Sequence, residues 1–267
     1  MYPSFDLFLR TIHLYQIMTL FGILFSGAYV YVSCKKLGYN EVNGLILVSL
    51  GFVGVIIGGP ILYALVNLGN AIGEIRNIPP IGTFRTIIIS LQIIFSGNIF
   101  YGGLLGGLIA ILIVIRIKPH FKPLIDVVVP GIPLFHFWGR IGCFMSGCCY
   151  GVESPVGFTM RLSEVPGAND ISRFPVQLLE SLFNISLFIV LHYIRKKNIF
   201  QNKMVFVYLL CYSVGRFCLE FLRGDVHRGF FLTMSTSQNI SILLFVFSIL
   251  MLKFYSPKVN ALNNENE

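Results

Sequence analysis

The sequence predicts an all-α integral membrane protein of about seven transmembrane helices, and three observations carry that expectation. Hydrophobic residues make up 55% of the 267 residues and charged residues only 12%, against about 25% charged in ordinary soluble domains. Apolar runs of about 20 residues, long enough to cross a hydrocarbon layer roughly 30 Å thick, recur along the chain. The cations that interrupt these runs fall into separated clusters, as they do in loops between membrane spans. A mean hydropathy of +0.77 agrees with a bilayer as solvent.

The runs lie at residues 12 to 34, 44 to 67, 99 to 117, 124 to 144, 176 to 194, 204 to 222 and 235 to 255. A shorter piece, TIIISLQIIF at 86 to 95, ends at Ser96-Gly97-Asn98 and is expected to be re-entrant or interfacial, being too short to cross alone. The start, MYPSFDLFLR, lacks a basic n-region, so the first helix is expected to be retained rather than cleaved. Residues 1 to 258 read as a single polytopic membrane domain, and 259 to 267 as a polar cytoplasmic tail.

Orientation follows from the cations. Lys35 and Lys36; Arg116, Lys118 and Lys122; Arg195, Lys196, Lys197 and Lys203; and Lys253 and Lys258 share one side of the seven-span scheme. The positive-inside rule makes that side cytoplasmic, the N-terminus outside and the C-terminus inside. Arg10, Arg76, Arg85, Arg140, Arg161, Arg173, Arg216, Arg223 and Arg228 then fall on or near the outer side, where no lysine lies. A guanidinium is a planar fork of donors matched to phosphate oxygens, so an arginine-only face suggests phosphate binding. Snorkelling to lipid headgroups is the plainer reading for Arg10, Arg76 and Arg85. The net charge of +8 is accounted for by these two populations and requires no nucleic acid.

Three segments carry candidate chemistry. In PLFHFWGRIGCFMSGCCYG, residues 133 to 151, Arg140 stands between Gly139 and Gly142 at the outer end of the fourth span. An arginine at the bilayer centre costs about 2.5–3.5 kcal/mol on insertion scales, so one with glycine neighbours is expected to face a polar cavity or an anion. In the sixth span, Tyr212, Arg216 and Glu220 are spaced i, i+4, i+8 and share one helix face, with Arg223 and Asp225 extending it outward. Mutual neutralisation of Arg216 and Glu220 is the alternative reading. The segment NIFYGGLLGG, 98 to 107, opens the third span with a glycine-rich turn suited either to an anion or to helix packing. Arg173, Pro175, Gln177 and Glu180 begin the fifth span; Glu180 is either a ligand-positioning acid or a buried partner for an arginine.

Six cysteines, Cys34, Cys143, Cys148, Cys149, Cys211 and Cys218, do not form a disulfide framework of the kind small secreted domains need, and most are expected to be buried small residues. An outer-face disulfide among Cys143, Cys148 and Cys149 is one alternative. Zinc on these thiols with His136 is another, weakened by the expectation that adjacent Cys148 and Cys149 do not both reach a metal shared with Cys143 in one short turn.

Taken in order, these pieces resemble the prolipoprotein diacylglyceryl transferase family. GRIGCF and CCYG, at Gly139 to Phe144 and Cys148 to Gly151, resemble the family signature Gly-Arg-x-Gly-Asn-Phe and its Tyr-Gly end. Tyr212, Arg216, Phe217, Glu220, Phe221 and Arg223 match Tyr-x-x-x-Arg-Phe-x-x-Glu-Phe-x-Arg. Pro175, Gln177, Leu178 and Glu180 match Pro-x-Gln-Leu-x-Glu, and Asp126 with Pro130 matches Asp-x-x-x-Pro. Tyr15 stands at the first-helix tyrosine, and Ser235 with Gln238 at a seventh-helix Ser-x-x-Gln. The family's His-Gly-Gly is Tyr101-Gly102-Gly103 here, its signature asparagine is Cys143, and the acid in mid-signature is absent.

The resemblance implies transfer of a diacylglyceryl group from phosphatidylglycerol to the lipobox cysteine of a prolipoprotein signal peptide, forming a thioether and releasing glycerol phosphate. It implies a bacterial inner-membrane enzyme with its site toward the outer leaflet, without metal or other cofactor. Carried onto this chain, the catalytic set is Arg140, Arg216, Tyr101, Tyr212, Glu220 and His136, with Tyr101, Tyr212 or His136 in place of the missing histidine base. The substrate-binding set is Tyr15, Gly102, Gly103, Gly139, Gly142, Cys143, Gln177, Glu180, Arg223 and Gln238. Two other readings stand beside it: a transferase of the same fold with a different acceptor, and a non-enzymatic lipid-binding or transport protein, since intramembrane charges also line transport paths.

Overall fold

A computed structural model describes residues 3–7, 10–79, 82–97, 100–163, 165, 168–225, 230–231 and 234–255. The chain divides into two compact units, Cys34–Leu124 and the rest, Met1–Ser33 with Ile125–Glu267. Each has its own packing logic.

The first helix, α1 (Leu14–Lys36), begins in the larger unit and ends in the smaller. The smaller unit is then built on α2 (Glu41–Arg76), α3 (Thr83–Ile94), α4 (Phe100–Ile117) and a 3-10 turn, Pro119–Leu124. Asn40 caps α2, its side chain accepting from the Asn43 amide at 3.0 Å. Helices α2 and α4 meet through glycine. A Cβ on Gly58 would lie 2.2 Å from the Gly102 carbonyl oxygen, and one on Gly106 would lie 2.2 Å from that of Gly54. Such backbone contact is how helices associate in lipid, where no hydrophobic effect drives them together. The glycine-rich opening of the third span is thus helical from Phe100 onward and serves packing, rather than forming a turn. Helix α2 runs nine residues past the apolar run that signalled it, to Arg76.

The larger unit opens with an antiparallel hairpin, β1 (Ser4–Leu7) and β2 (Arg10–His13), pairing Ser4 with His13, which feeds directly into α1. Helix α5 (Ile125–Val128) and α6 (Gly131–Ser146) are separated by a break at buried Pro130, which cannot continue a helical hydrogen-bond ladder. A second small sheet pairs β3 (Glu153–Thr159) with β4 (Ser172–Arg173), and a third pairs β5 (Phe230–Phe231) with β6 (Met234–Ser235). Helices α7 (Val176–Lys196), α8 (Met204–Glu220) and α9 (Thr236–Phe254) complete the unit. Asp126 accepts from the backbone amides of Asn202 and Met204, satisfying donors at the start of α8. The core is Val129, Leu187, Leu191, Met204, Val207 and Tyr208.

The expected all-α class is therefore corrected by three two-stranded pieces, each too short to leave a readable alternation in sequence. By length and composition, α1, α2, α7 and α9 can each cross a bilayer, which gives four candidate crossings among the described residues, or five if the bent pair Pro119–Val128 and Gly131–Ser146 counts as one span. Polarity is inverted relative to a soluble protein. Gln177, Glu180, Asn184, Ser213, Glu220, Ser241 and Ser248 are buried, while Leu65, Leu243 and Phe254 lie on the surface. An exterior this apolar suits hydrocarbon, where a polar group is satisfied only by turning inward.

Candidate active site

Three helices of the larger unit bring charged side chains to one place, and a fourth adds a serine. Glu180, on the first turns of α7, is 3% exposed and receives Arg140 of α6 through Nε at 2.7 Å and Arg216 of α8 through Nη1. The second amino group of Arg216 pairs with Glu220 one turn on, at 2.7 Å, and reaches Ser237 of α9 at 3.2 Å. Two arginines and two glutamates make the array formally neutral. Breaking a buried pair by removing one partner leaves an uncompensated charge, so the four residues stand or fall together.

The backbone explains the convergence. Gly215, just before Arg216, lets α8 approach α7 so closely that a Cβ there would meet the Phe183 ring at 2.1 Å. Ser181 ties α7 to α6 by donating to the Phe137 carbonyl at 3.1 Å. Gly142 faces Tyr15 and Met18 of α1, a Cβ there lying 3.1 Å from each. Among the described residues, no atom outside its own helix backbone lies within 4 Å of a Cβ on Gly139. Both alternatives left open for Glu180 and for the Arg216–Glu220 pair thus resolve the same way in geometry: each acid is a buried partner of an arginine.

A cysteine-lined turn follows Arg140. Helix α6 ends in a Schellman motif: Gly147, at φ +71°, donates to the Phe144 carbonyl at 3.2 Å, and the Cys148 amide donates to that of Cys143 at 3.1 Å. Cys149 is also left-handed, at φ +55°. The two reversals fold the chain back over α6, and the three sulfurs of Cys143, Cys148 and Cys149 lie within 4.8 Å of one another. This corrects the expectation that adjacent cysteines do not converge with Cys143. All six cysteines are free thiols. Hydrogen bonding from Cys143 and Cys148 pulls Cys149 well below the ordinary thiol range, and the same bonding holds Cys148 above it. Gln177, wholly buried, donates to the Cys148 carbonyl at 2.9 Å and pins the turn from α7. Arg140 reaches Cys143 Sγ at 3.9 Å.

The remaining sequence candidates are placed as follows. Tyr212 stacks on Tyr208 at 5.6 Å, and the His136 ring lies 5.9 Å from it. Arg223 forms a bidentate pair with Asp225, at 2.9 and 2.6 Å; burial opposes its charge, but the Asp225 hydrogen bonds hold the guanidinium above its usual range. Gln238 is the acid-like arm of a capping box with Ser235, accepting from the Ser235 amide at 3.0 Å. Gly102 and Gly103 lie against α2 in the smaller unit. Tyr101 begins α4, but its side chain lies outside the described residues. Sequence reasoning missed Ser237, although it sits inside the Ser-x-x-Gln motif one residue from Gln238. It also missed the stacking of Arg173, 4.1 Å over the Tyr150 ring, which no spacing rule could signal across 22 residues of loop and strand.

Long helices with an apolar exterior and a buried array of paired arginines and carboxylates define a helical membrane protein with a charged, internally paired interior. The family model described as prolipoprotein diacylglyceryl transferase matches residues 4–254, and the chain belongs to that family of transferases. It is similar to the phosphatidylglycerol–prolipoprotein diacylglyceryl transferase of Clostridium tetani, 34% identical over 254 residues that cover 92% of this chain and 96% of that one. It is similar also to phosphatidylglycerol–prolipoprotein diacylglyceryl transferase 2 of Clostridium perfringens, at 32% identity with 92% of each chain covered. The Campylobacter jejuni protein of the same description is 31% identical, over 93% of this chain and 91% of its own length. The membership inferred from ordered motifs is borne out.

Proposed function

We propose that the protein transfers the diacylglyceryl group of phosphatidylglycerol to the thiol of a prolipoprotein lipobox cysteine. The thiolate sulfur attacks the glyceryl carbon bound to the phosphate oxygen, a C–S bond forms, that C–O bond breaks, and glycerol phosphate leaves with the electron pair. The thiol proton passes to a base. The observation that carries this reading is the Arg140–Glu180–Arg216–Glu220 array: two guanidiniums, held in fixed orientation by buried carboxylates, suit a phosphate whose charge grows as it departs. Arg140 keeps 20% of its side chain exposed, which leaves donor capacity for a phosphate oxygen.

Tyr15, Gly139, Gly142, Cys143, Gln177, Arg223 and Gln238 are assigned to substrate binding around that array, with Gly102 and Gly103 after them. Tyr101, Tyr212 and His136 are the candidates for the base, which must supply thiolate because a free cysteine near pKa ~8.5 is mostly protonated at neutral pH. The topology that fits is seven crossings of the bacterial inner membrane, N-terminus outside, C-terminus cytoplasmic, with the site toward the outer leaflet. Residues 1 to 258 form the membrane domain and 259 to 267 its polar tail.

The test is transfer of labelled diacylglyceryl from phosphatidylglycerol to a lipobox peptide by the purified protein, beside Arg140→Ala and Arg216→Ala. Loss of a preorganised electrostatic donor lowers turnover by about 10²–10³. Arginine variants that transfer at the wild-type rate would remove the headgroup role. Tyr101 and Cys143, standing where the family has histidine and asparagine, favour one second reading: the same transfer to a different acceptor, seen as a labelled non-protein product.

A further inference from the structure

We propose that Cys143, Cys148 and Cys149 form a binding site for a thiophilic d10 metal ion, Zn²⁺ or Cu⁺. The three sulfurs lie within 4.8 Å of one another, so a point exists no farther than about 2.8 Å from all of them. A metal–thiolate bond is about 2.3 Å, so side-chain rotations that move each sulfur by about half an ångström complete the set. Soft thiolates select these ions over hard ones. The trio owes its convergence to a rigid scaffold: the Schellman end of α6, left-handed Gly147 and Cys149, and the Gln177 hydrogen bond to the Cys148 carbonyl.

Charge supports the same assignment. Three thiolates around Zn²⁺ carry one net negative charge, and Arg140 stands 3.9 Å from Cys143 Sγ. Cations and N–H donors beside the sulfurs are the surroundings that stabilise metal thiolates. A cavity of about 290 Å³ lined by Cys148, Ser146, Tyr15, Gln16 and His13 reaches the trio at Cys148, and a solvent molecule there is suited to the fourth position that Zn²⁺ requires and Cu⁺ does not. A disulfide would use two of three thiols and strand the third. The metal site shares Cys143 and its neighbour Arg140 with the proposed transfer site, so the test reads metal binding directly rather than transfer.

The experiment uses reduced full-length protein in detergent. Co²⁺, as a probe of the Zn²⁺ geometry, is expected to give thiolate-to-metal charge transfer at one equivalent per chain, displaced by Zn²⁺; Cu⁺ is titrated against a chromophoric chelator in parallel. Cys148→Ser with Cys149→Ser is expected to abolish the signal, and removal of Cys34, Cys211 and Cys218 together to retain it. Should the double variant not fold, alkylation mapping on the wild-type protein decides the matter. Bound metal is expected to protect Cys143, Cys148 and Cys149 while Cys211 and Cys218 label as before. Absence of both charge transfer and protection for both ions overturns the proposal, as does recovery of the trio as a disulfide from cells lysed without reductant.

Discussion

Glu180 is the residue on which the site turns, because its two oxygens each hold a different arginine from a different helix. Glu180→Gln keeps the shape but removes the charge, leaving Arg140 without an anionic partner and Arg216 with Glu220 alone. Breaking a buried ion pair in this way costs about 3–5 kcal/mol. The expected outcome is a variant less stable to thermal unfolding in detergent by about that amount and defective in transfer; a variant as stable as wild type would show that the array is not coupled. Cys149 offers a second residue-scale check. Its ionisation is favoured by hydrogen bonds from Cys143 and Cys148, while the same bonding disfavours ionisation of Cys148. Metal-free protein at neutral pH is expected to alkylate faster at Cys149 than at Cys148, and mass-spectrometric labelling rates that show the reverse order would remove this account. Arg140, Arg216, Glu180 and Glu220 were legible in sequence because charge inside an apolar run is costly and demands a reason. Which oxygen meets which guanidinium was not, because pairing across helices α6, α7 and α8 depends on their approach and not on the periodicity of any one of them.

At the scale of elements, glycine sets the distances. Gly215 brings α8 against Phe183 of α7, and Arg216 follows it in sequence, so the helix contact and the ion pair are one construction. Gly215→Val is expected to separate the helices, lowering both thermal stability and transfer, and Phe183→Ala in the same chain is expected to recover part of the loss by vacating the space. Absence of any recovery would mean that the valine acts elsewhere. The end of α6 makes a complementary case. Gly147→Ala meets a left-handed backbone that costs an L-residue about 1–2 kcal/mol, and its Cβ would stand 2.7 Å from that of Ser163. Loss of stability of that order or more, measured by unfolding, is expected together with altered reactivity of Cys148. The glycines around Arg140 were visible in sequence as permission for close approach, yet their effect on the cysteines was not. Gly147 and Cys149 reverse the chain twice, and a positive φ at a cysteine has no sequence signature. The long reach of α2 to Arg76 was hidden for a simpler reason: Asn67, Asn70 and Glu74 end the apolar run without ending the helix.

For the whole molecule, the informative feature is where polarity sits. Serines, amides and carboxylates are buried in the larger unit, and aliphatic side chains face outward in both. That inversion requires a bilayer, and the basic residues then decide which way the chain is threaded. Helices α1, α4, α7 and α9 carry Lys35 and Lys36, Arg116, Arg195 and Lys196, and Lys253 in their last turns. Each of these ends is C-terminal, where cations also complement the helix dipole, so lysine there has two physical reasons and its position alone is not proof of sidedness. The arginines supply the independent part: Arg140, Arg216 and Arg223 concentrate where the ion-pair array and the Asp225 pair lie, and no lysine joins them. A phosphate-directed site toward the outer leaflet and lysine-rich ends toward the cytoplasm make one consistent threading. Fusing a fluorescent protein that matures only in the cytoplasm to the C-terminus should give bright cells, and alkaline phosphatase inserted after Arg161 should be active, since the proposed threading puts the loop between α6 and α7 on the outer side. A dark C-terminal fusion with an inactive Arg161 insertion would reverse the orientation, put the arginine array on the inner leaflet, and require the acceptor to be presented from the cytoplasm.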